Sequence, residues 1–255
     1  MSVVDDLLAG LPDGVLEDVL VGAFWTAVVA RSDGLRRCGL AATPPEDDHH
    51  HGAGPAIRDA GILTERRARE LAQLAASTSP METAIGMAAI NALLPRLEER
   101  WEELNAEAVI TEHGAGRRVV LVGHFPFVPR LKDRVGALWV LEQYPRGEDL
   151  PVEAAAEVIP QADVLAITGT TLINHTFERL VGLCRPDALV VVLGPSTPLS
   201  PVLFEYGAHV ISGAVVQEVD AVLRVLRQGG NFLQARPHGV RLVTMRKPGY
   251  SAWPR

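Results

Sequence analysis

Asp163-Val164-Leu165-Ala166-Ile167-Thr168-Gly169-Thr170-Thr171-Leu172-Ile173-Asn174-His175-Thr176-Phe177-Glu178-Arg179-Leu180 is the stretch that decides the fold. A short apolar run meets a Thr-Gly-Thr-Thr turn, and an amphipathic segment with Ile173, Phe177 and Leu180 follows; the order reads as strand, polar turn, helix start. Ligands of open α/β sheets gather at such strand ends. The first amides of a helix have no partner within it, so this turn offers donors and a partial positive charge to an anionic or polar group. A plain N-cap role for Thr170 or Thr171 accounts for the same residues.

The same grammar extends on both sides. Residues 117–122 form an apolar run ending at Gly123-His124-Phe125-Pro126, and residues 137–141 another ending at Glu142. Residues 188–193 end at Gly194-Pro195-Ser196-Thr197-Pro198, and residues 208–211 at Ser212-Gly213. Helical candidates fill the intervals at 152–159, 173–183, 201–206 and 215–227, and residues 240–245 close the series as an edge strand. Strands alternating with helices predict a mainly parallel sheet, whose carboxyl ends share one edge and bring the polar turns together. Glu142 follows Gly123 by 19 residues, near the spacing of a ribose-binding acid, but the first turn lacks G-x-G-x-x-G. No nucleophile elbow, Ser-His-Asp order or H-E-x-x-H helix is present.

Upstream of residue 116 the pattern differs. A short helix opens the chain, residues 18–31 suit a strand, Ser32-Asp33-Gly34 turns it, and residues 35–43 return as a hairpin. Residues 44–54 form a polar loop centred on Glu46-Asp47-Asp48-His49-His50-His51. Imidazoles and carboxylates together suit a divalent transition metal, but no zinc-type ligand spacing occurs, and the loop reads as a peripheral, solvated segment. Residues 64–76 carry an amphipathic helical pattern. Ser79-Pro80-Met81-Glu82 combines a capping box with proline at the first helical position and predicts a long helix, buried over 84–94 and wet over 96–103. Asn91, in the buried part, is either a hydrogen-bond hub or part of a site; Glu82 is either a cap or a ligand.

A 47% hydrophobic content over 255 residues supports a sizeable core and one or two domains. A net charge of -7 and 5% aromatic residues argue against a nucleic-acid partner. No apolar run reaches the ~20 residues of a membrane span. Asp5 and Asp6, with no basic residue before them, do not suit a signal peptide, and a cytoplasmic location is the expectation. Cys38 and Cys184 are far apart and form no CxxC pair, so free, buried thiols are expected.

Gly86-Met87-Ala88-Ala89-Ile90-Asn91-Ala92, Gly123-His124-Phe125-Pro126, Glu142, Thr168-Gly169-Thr170-Thr171-Leu172-Ile173-Asn174-His175-Thr176 and Gly194-Pro195-Ser196 together resemble the putative heavy-metal chelation family. The resemblance implies an enolase-N-terminal-like α+β domain over residues 1–106 and a Rossmann-like domain over 107–255, with a site in the cleft between them. Three functions stay open. The first is binding of a metal ion, or of a metal-bearing or anionic small molecule. It would use Glu82, Asn91, Gly123, Phe125, Glu142, Thr168, Gly169, Thr170, Thr171, Asn174, Gly194, Pro195 and Ser196. A divalent transition metal would fall to Glu82, Glu142 or His124, with His49, His50 and His51 as the remote option. The second is an enzyme acting on a small polar or phosphorylated metabolite, with Glu142 or His124 moving the proton. The third is a structural module, and self-association is compatible with all three.

Overall fold

The computed structural model describes residues 2–45 and 56–250, so the acidic triple-histidine segment, His49 to His51 included, lies outside the described residues. Three antiparallel strands open the fold: β1 (Val15–Val21), β2 (Trp25–Ser32) and β3 (Leu35–Ala42), in the order β1-β2-β3. Asp33 and Gly34 both take positive φ, 51° and 74°, and make a two-residue turn whose twist matches the strands it joins. The single strand expected over 18–31 is two strands, because Gly22-Ala23-Phe24 reverses the chain, with the Gly22 amide donating to the Trp25 carbonyl. The hairpin is therefore a three-stranded meander.

The helix Pro80–Leu93 carries Ser79 as its N-cap and is buried along almost its whole length. One face of the meander packs on it through Val28, Ala30 and Ala41. The opposite face, with Ala27, Val29 and Leu40, packs on the helix Val219–Arg227. The helix does not run on to residue 103. Leu94 turns out to ψ 134°, as a residue before proline must, and Pro95 ends it. The pattern over 64–76 is likewise broken, into the α-helix Ala68–Ala72 between two 3-10 turns, with Arg67 held extended ahead of it.

The second sheet has seven strands: β4 (Arg118–Val122), β5 (Ala137–Glu142), β6 (Leu150–Pro151), β7 (Val164–Thr168), β8 (Leu189–Leu193), β9 (Val210–Val216) and β10 (Val240–Arg246). They lie in the order β10-β9-β8-β7-β4-β5-β6, all parallel except β10. Strand order reverses between β4 and β7. The five runs and the edge strand over 240–245 all form; the seventh strand, β6, is only two residues long and carries no pattern of its own, and β9 continues to Val216, where a helix was expected from 215. Asp163 accepts from Arg118 and Arg185 and ties the amino ends of β4, β7 and β8 together. One core cluster runs without interruption from Val3 and the helix Pro80–Leu93 to Val120, Leu165 and Ile211 on the near face of this sheet. The helix Ala106–Gly114 covers the other face. Glu102 and Thr244 exchange two backbone hydrogen bonds, so the chain entering that helix pins the outer edge of β10. No helix among the described residues is long and apolar enough to cross a membrane.

Candidate functional site

The turns after β4, β7 and β8 meet at the carboxyl edge. Gly123 and Gly194 turn there at φ 99° and 112°, and each donates its amide to a neighbouring strand, Gly123 to Leu141 and Gly194 to Ser212. Gly169 is pressed against the next turn: a Cβ on it would lie 2.6 Å from Thr197 Oγ1 and 2.7 Å from the Thr197 nitrogen. Only glycine fits, so the Thr-Gly-Thr-Thr and Gly-Pro-Ser-Thr turns form one packed unit.

Neither threonine is an N-cap. Gly169 holds that position for the four-residue helix Thr170–Ile173, and no side chain caps it. Thr171 Oγ1 donates to the Thr168 carbonyl at 2.7 Å, and Thr170 Oγ1 lies 3.1 Å from Thr168 Oγ1, so both hydroxyls serve the strand end. The helix expected over 173–183 is interrupted at Asn174 and His175, the latter at φ 56°, before Phe177–Val181 resumes it. So short a helix has little macrodipole, and the charge stabilisation expected from its terminus is correspondingly small. Phe177 and Leu180 face the core.

Two adjoining cavities open at this edge. One, of about 280 Å³, is lined among others by Gly123, His124, Phe125, Glu142, Thr168 and Arg179. The other, of about 350 Å³, lies against Ala42, Thr43, Pro44 and Pro80 of the N-terminal half. Glu142, Gln143, Thr170 and Asn174 line both. Glu142 Oε1 accepts from the His124 amide at 2.6 Å and Oε2 from the Gln143 amide at 3.1 Å, which orients its carboxylate at the end of β5. His124 Nδ1 lies 3.0 Å from Asp149 Oδ2, whose side chain is only 6% exposed, and Arg146 donates its amide to the same oxygen. Phe125 stacks on Phe127 at 5.3 Å between centroids.

Several expected site residues stand elsewhere. Glu82 is 2% exposed and accepts from the Arg58 amide, the Arg58 guanidinium and Ser77 Oγ, a set that holds its carboxyl down to about 2. It closes no capping box and lines neither cavity. Asn91 is the hub of the two readings offered for it: Nδ2 donates to Leu40 O at 2.8 Å and Ser196 O at 3.2 Å. Ser196 Oγ accepts from the Ala42 amide at 2.9 Å, so Asn91 and Ser196 join the two halves of the chain, and Gly194 and Pro195 shape that junction. Asp149, Gln143 and Arg179 were not expected. Asp149 sits in a polar Arg-Gly-Glu-Asp turn that reads as surface, and only its place before β6, beside β5, marks it. Cys38 is buried and Cys184 half-buried, both free, with burial pushing each thiol up to about 12.

Two family models, both described as putative heavy-metal chelation, match residues 4–94 and 105–245. The chain belongs to this family. Members of the putative heavy-metal chelation family share its architecture: a protein of unknown function from Desulfitobacterium hafniense is 28% identical, with a TM-score of 0.79 over 96% of this chain and 97% of that one. One from Pyrococcus horikoshii, 20% identical, has the same fold, with a TM-score of 0.79 over 96% and 98%. An uncharacterised protein of Methanocaldococcus jannaschii is 27% identical over 80% of this chain and 79% of its own length. The family description suggests a metal. Among the described residues, however, no three His, Cys, Asp or Glu side chains come together to hold one.

Proposed function

We propose that the chain binds a polar small molecule in this cleft, and that a metal ion, where one takes part, is held chiefly by that molecule. Size and donor set carry the reading: the cavities of about 280 and 350 Å³ share four polar lining residues and suit an organic ligand. A bare transition ion would require three or four protein ligands. An ion already chelated requires one or two, and Glu142 and the Nε2 of His124, its other nitrogen engaged by Asp149, would supply them. The strand order supports a Rossmann-like reading of the C-terminal half, with the cleft at its switch point and Glu142 where a ribose-binding acid stands in dinucleotide folds. Residues up to about 106 would form the enolase-N-terminal-like unit, and a cytoplasmic setting suits the two free thiols.

Tag-free protein dialysed against Zn²⁺, Ni²⁺ or Co²⁺, each alone and as its citrate complex, tests this by elemental analysis and calorimetric titration. The complexes should be retained and the bare ions lost, and Glu142→Gln should lower affinity for the complexes at least tenfold. Stoichiometric binding of a bare ion that survives Glu142→Gln would overturn the reading. One observation favours an enzymatic variant, the buried Asp149 beneath His124, because a carboxylate on Nδ1 fixes the tautomer that leaves Nε2 basic. Asp149→Asn would then abolish turnover of a cleft ligand while leaving its affinity unchanged.

A further inference from the structure

Away from the cleft, a cavity of about 30 Å³ is lined by Arg37, Asn91, Arg96, Trp101 and Thr197 together with apolar side chains. We infer that it is a site for a single halide-sized inorganic anion, chloride in the first instance. Three of the lining residues carry a buried polar atom with no hydrogen-bond partner among the described residues: Arg37 Nε, Trp101 Nε1 and Thr197 Oγ1. Guanidinium and indole nitrogens only donate. The carbonyls that two of these residues reach, Leu94 O from Arg37 and Val216 O from Arg96, each already accept a hydrogen bond from a guanidinium. Two of the three orphan atoms can only donate, and the third, Thr197 Oγ1, can donate as well; an anion accepts from all three, whereas a water must place two protons of its own.

Charge points the same way. Two half-buried guanidiniums share the cavity wall, and the one carboxylate within ion-pair distance of either among the described residues is the exposed Glu98, 3.9 Å from Arg96. Burial, and then the charge of Arg37, push the Arg96 guanidinium down from its ordinary range. Unneutralised like charges in a medium of low dielectric repel strongly, and an anion between them turns that repulsion into attraction. The volume favours a small ion: about 30 Å³ holds one or two atom-sized species.

The test uses the full chain purified in sodium gluconate, with sodium bromide replacing it at constant ionic strength. The melting midpoint should rise by several degrees and saturate with bromide, while sulfate does not reproduce the specific saturation. Crystals grown in bromide should show an anomalous peak within contact distance of Arg37 and Arg96. Trp101→Phe keeps the ring, loses the N–H and should weaken bromide several-fold. Arg37→Met should flatten the bromide dependence, and in gluconate should melt no lower than the parent because a repulsion has gone. A midpoint indifferent to bromide, or a bromide effect with no peak in the cavity, overturns the proposal; a water there in its place does so equally.

Discussion

Two carboxylates tied to guanidiniums contribute most visibly to how the protein meets acid. Arg58 and Ser77 hold Glu82 down to about 2 from an ordinary 4.5, and Arg118 and Arg185 hold Asp163 down to about 2 from 3.8. Folded values below unfolded ones mean that both groups stabilise the fold fully above about pH 4.5 and lose that contribution as pH falls through about 2. Denaturant midpoints measured between those limits should fall steeply in the parent and more gently in Glu82→Gln. That variant should already be less stable at pH 7, by about 1–3 kcal/mol. The threonines after β7 act differently. Replacing Thr170 and Thr171 together by alanine removes two hydroxyls that serve Thr168, so stability should drop by about 1–2 kcal/mol, and affinity for a cleft ligand should drop more. Phe177→Ala should cost about 3–5 kcal/mol for the buried ring and spare affinity. Thermal melts with calorimetric titration of the citrate complexes separate the two.

At the scale of elements, β3 crosses the helix Pro80–Leu93 at Gly39, where a Cβ would lie 2.1 Å from the Ala88 carbonyl oxygen and 2.3 Å from the Ala92 nitrogen. Both contacts are backbone, so neither can swing aside. Gly39→Ala should cost about 3 kcal/mol or more, read as a lowered urea midpoint with unchanged m-value. That crossing was not legible in the sequence, whereas the strands of the large sheet other than β6 were: continuous apolar runs ending in glycine or a polar residue need no partner to be recognised. Helix breaks were harder. Pro95 stands in plain view and loses to the amphipathic pattern only if charge is weighed above backbone geometry. The left-handed turn at His175 is set by tertiary packing. The Gly22-Ala23-Phe24 reversal is flanked by β-formers that mask it. In the cleft, Glu142 and the Thr-Gly-Thr-Thr turn were legible because strand ends point to them. The fate of Glu82 was not, since its partner Arg58 belongs to a segment with no periodicity, and Asp149 acquires meaning only when β6 lies beside β5.

For the molecule as a whole, the continuous core cluster and the bonds from Asn91 and Ser196 make the two halves one cooperative body. Calorimetry should show a single transition with equal calorimetric and van't Hoff enthalpies. Ser196→Ala, which strands the Ala42 amide, should lower stability by about 1–3 kcal/mol without splitting that transition. Two peaks would mean that the halves melt independently. The large sheet carries one more consequence. Its β6 rim is two residues long and ends in Pro151, which has no amide proton, and its β10 rim is occupied at Thr244 by the chain at Glu102. A neighbouring copy arriving with an extended segment finds no long open row of donors and acceptors along either margin. Assembly through the rims of this sheet is therefore disfavoured, and strand-by-strand growth from it is opposed by Pro151 at one margin and by the Glu102 bridge at the other.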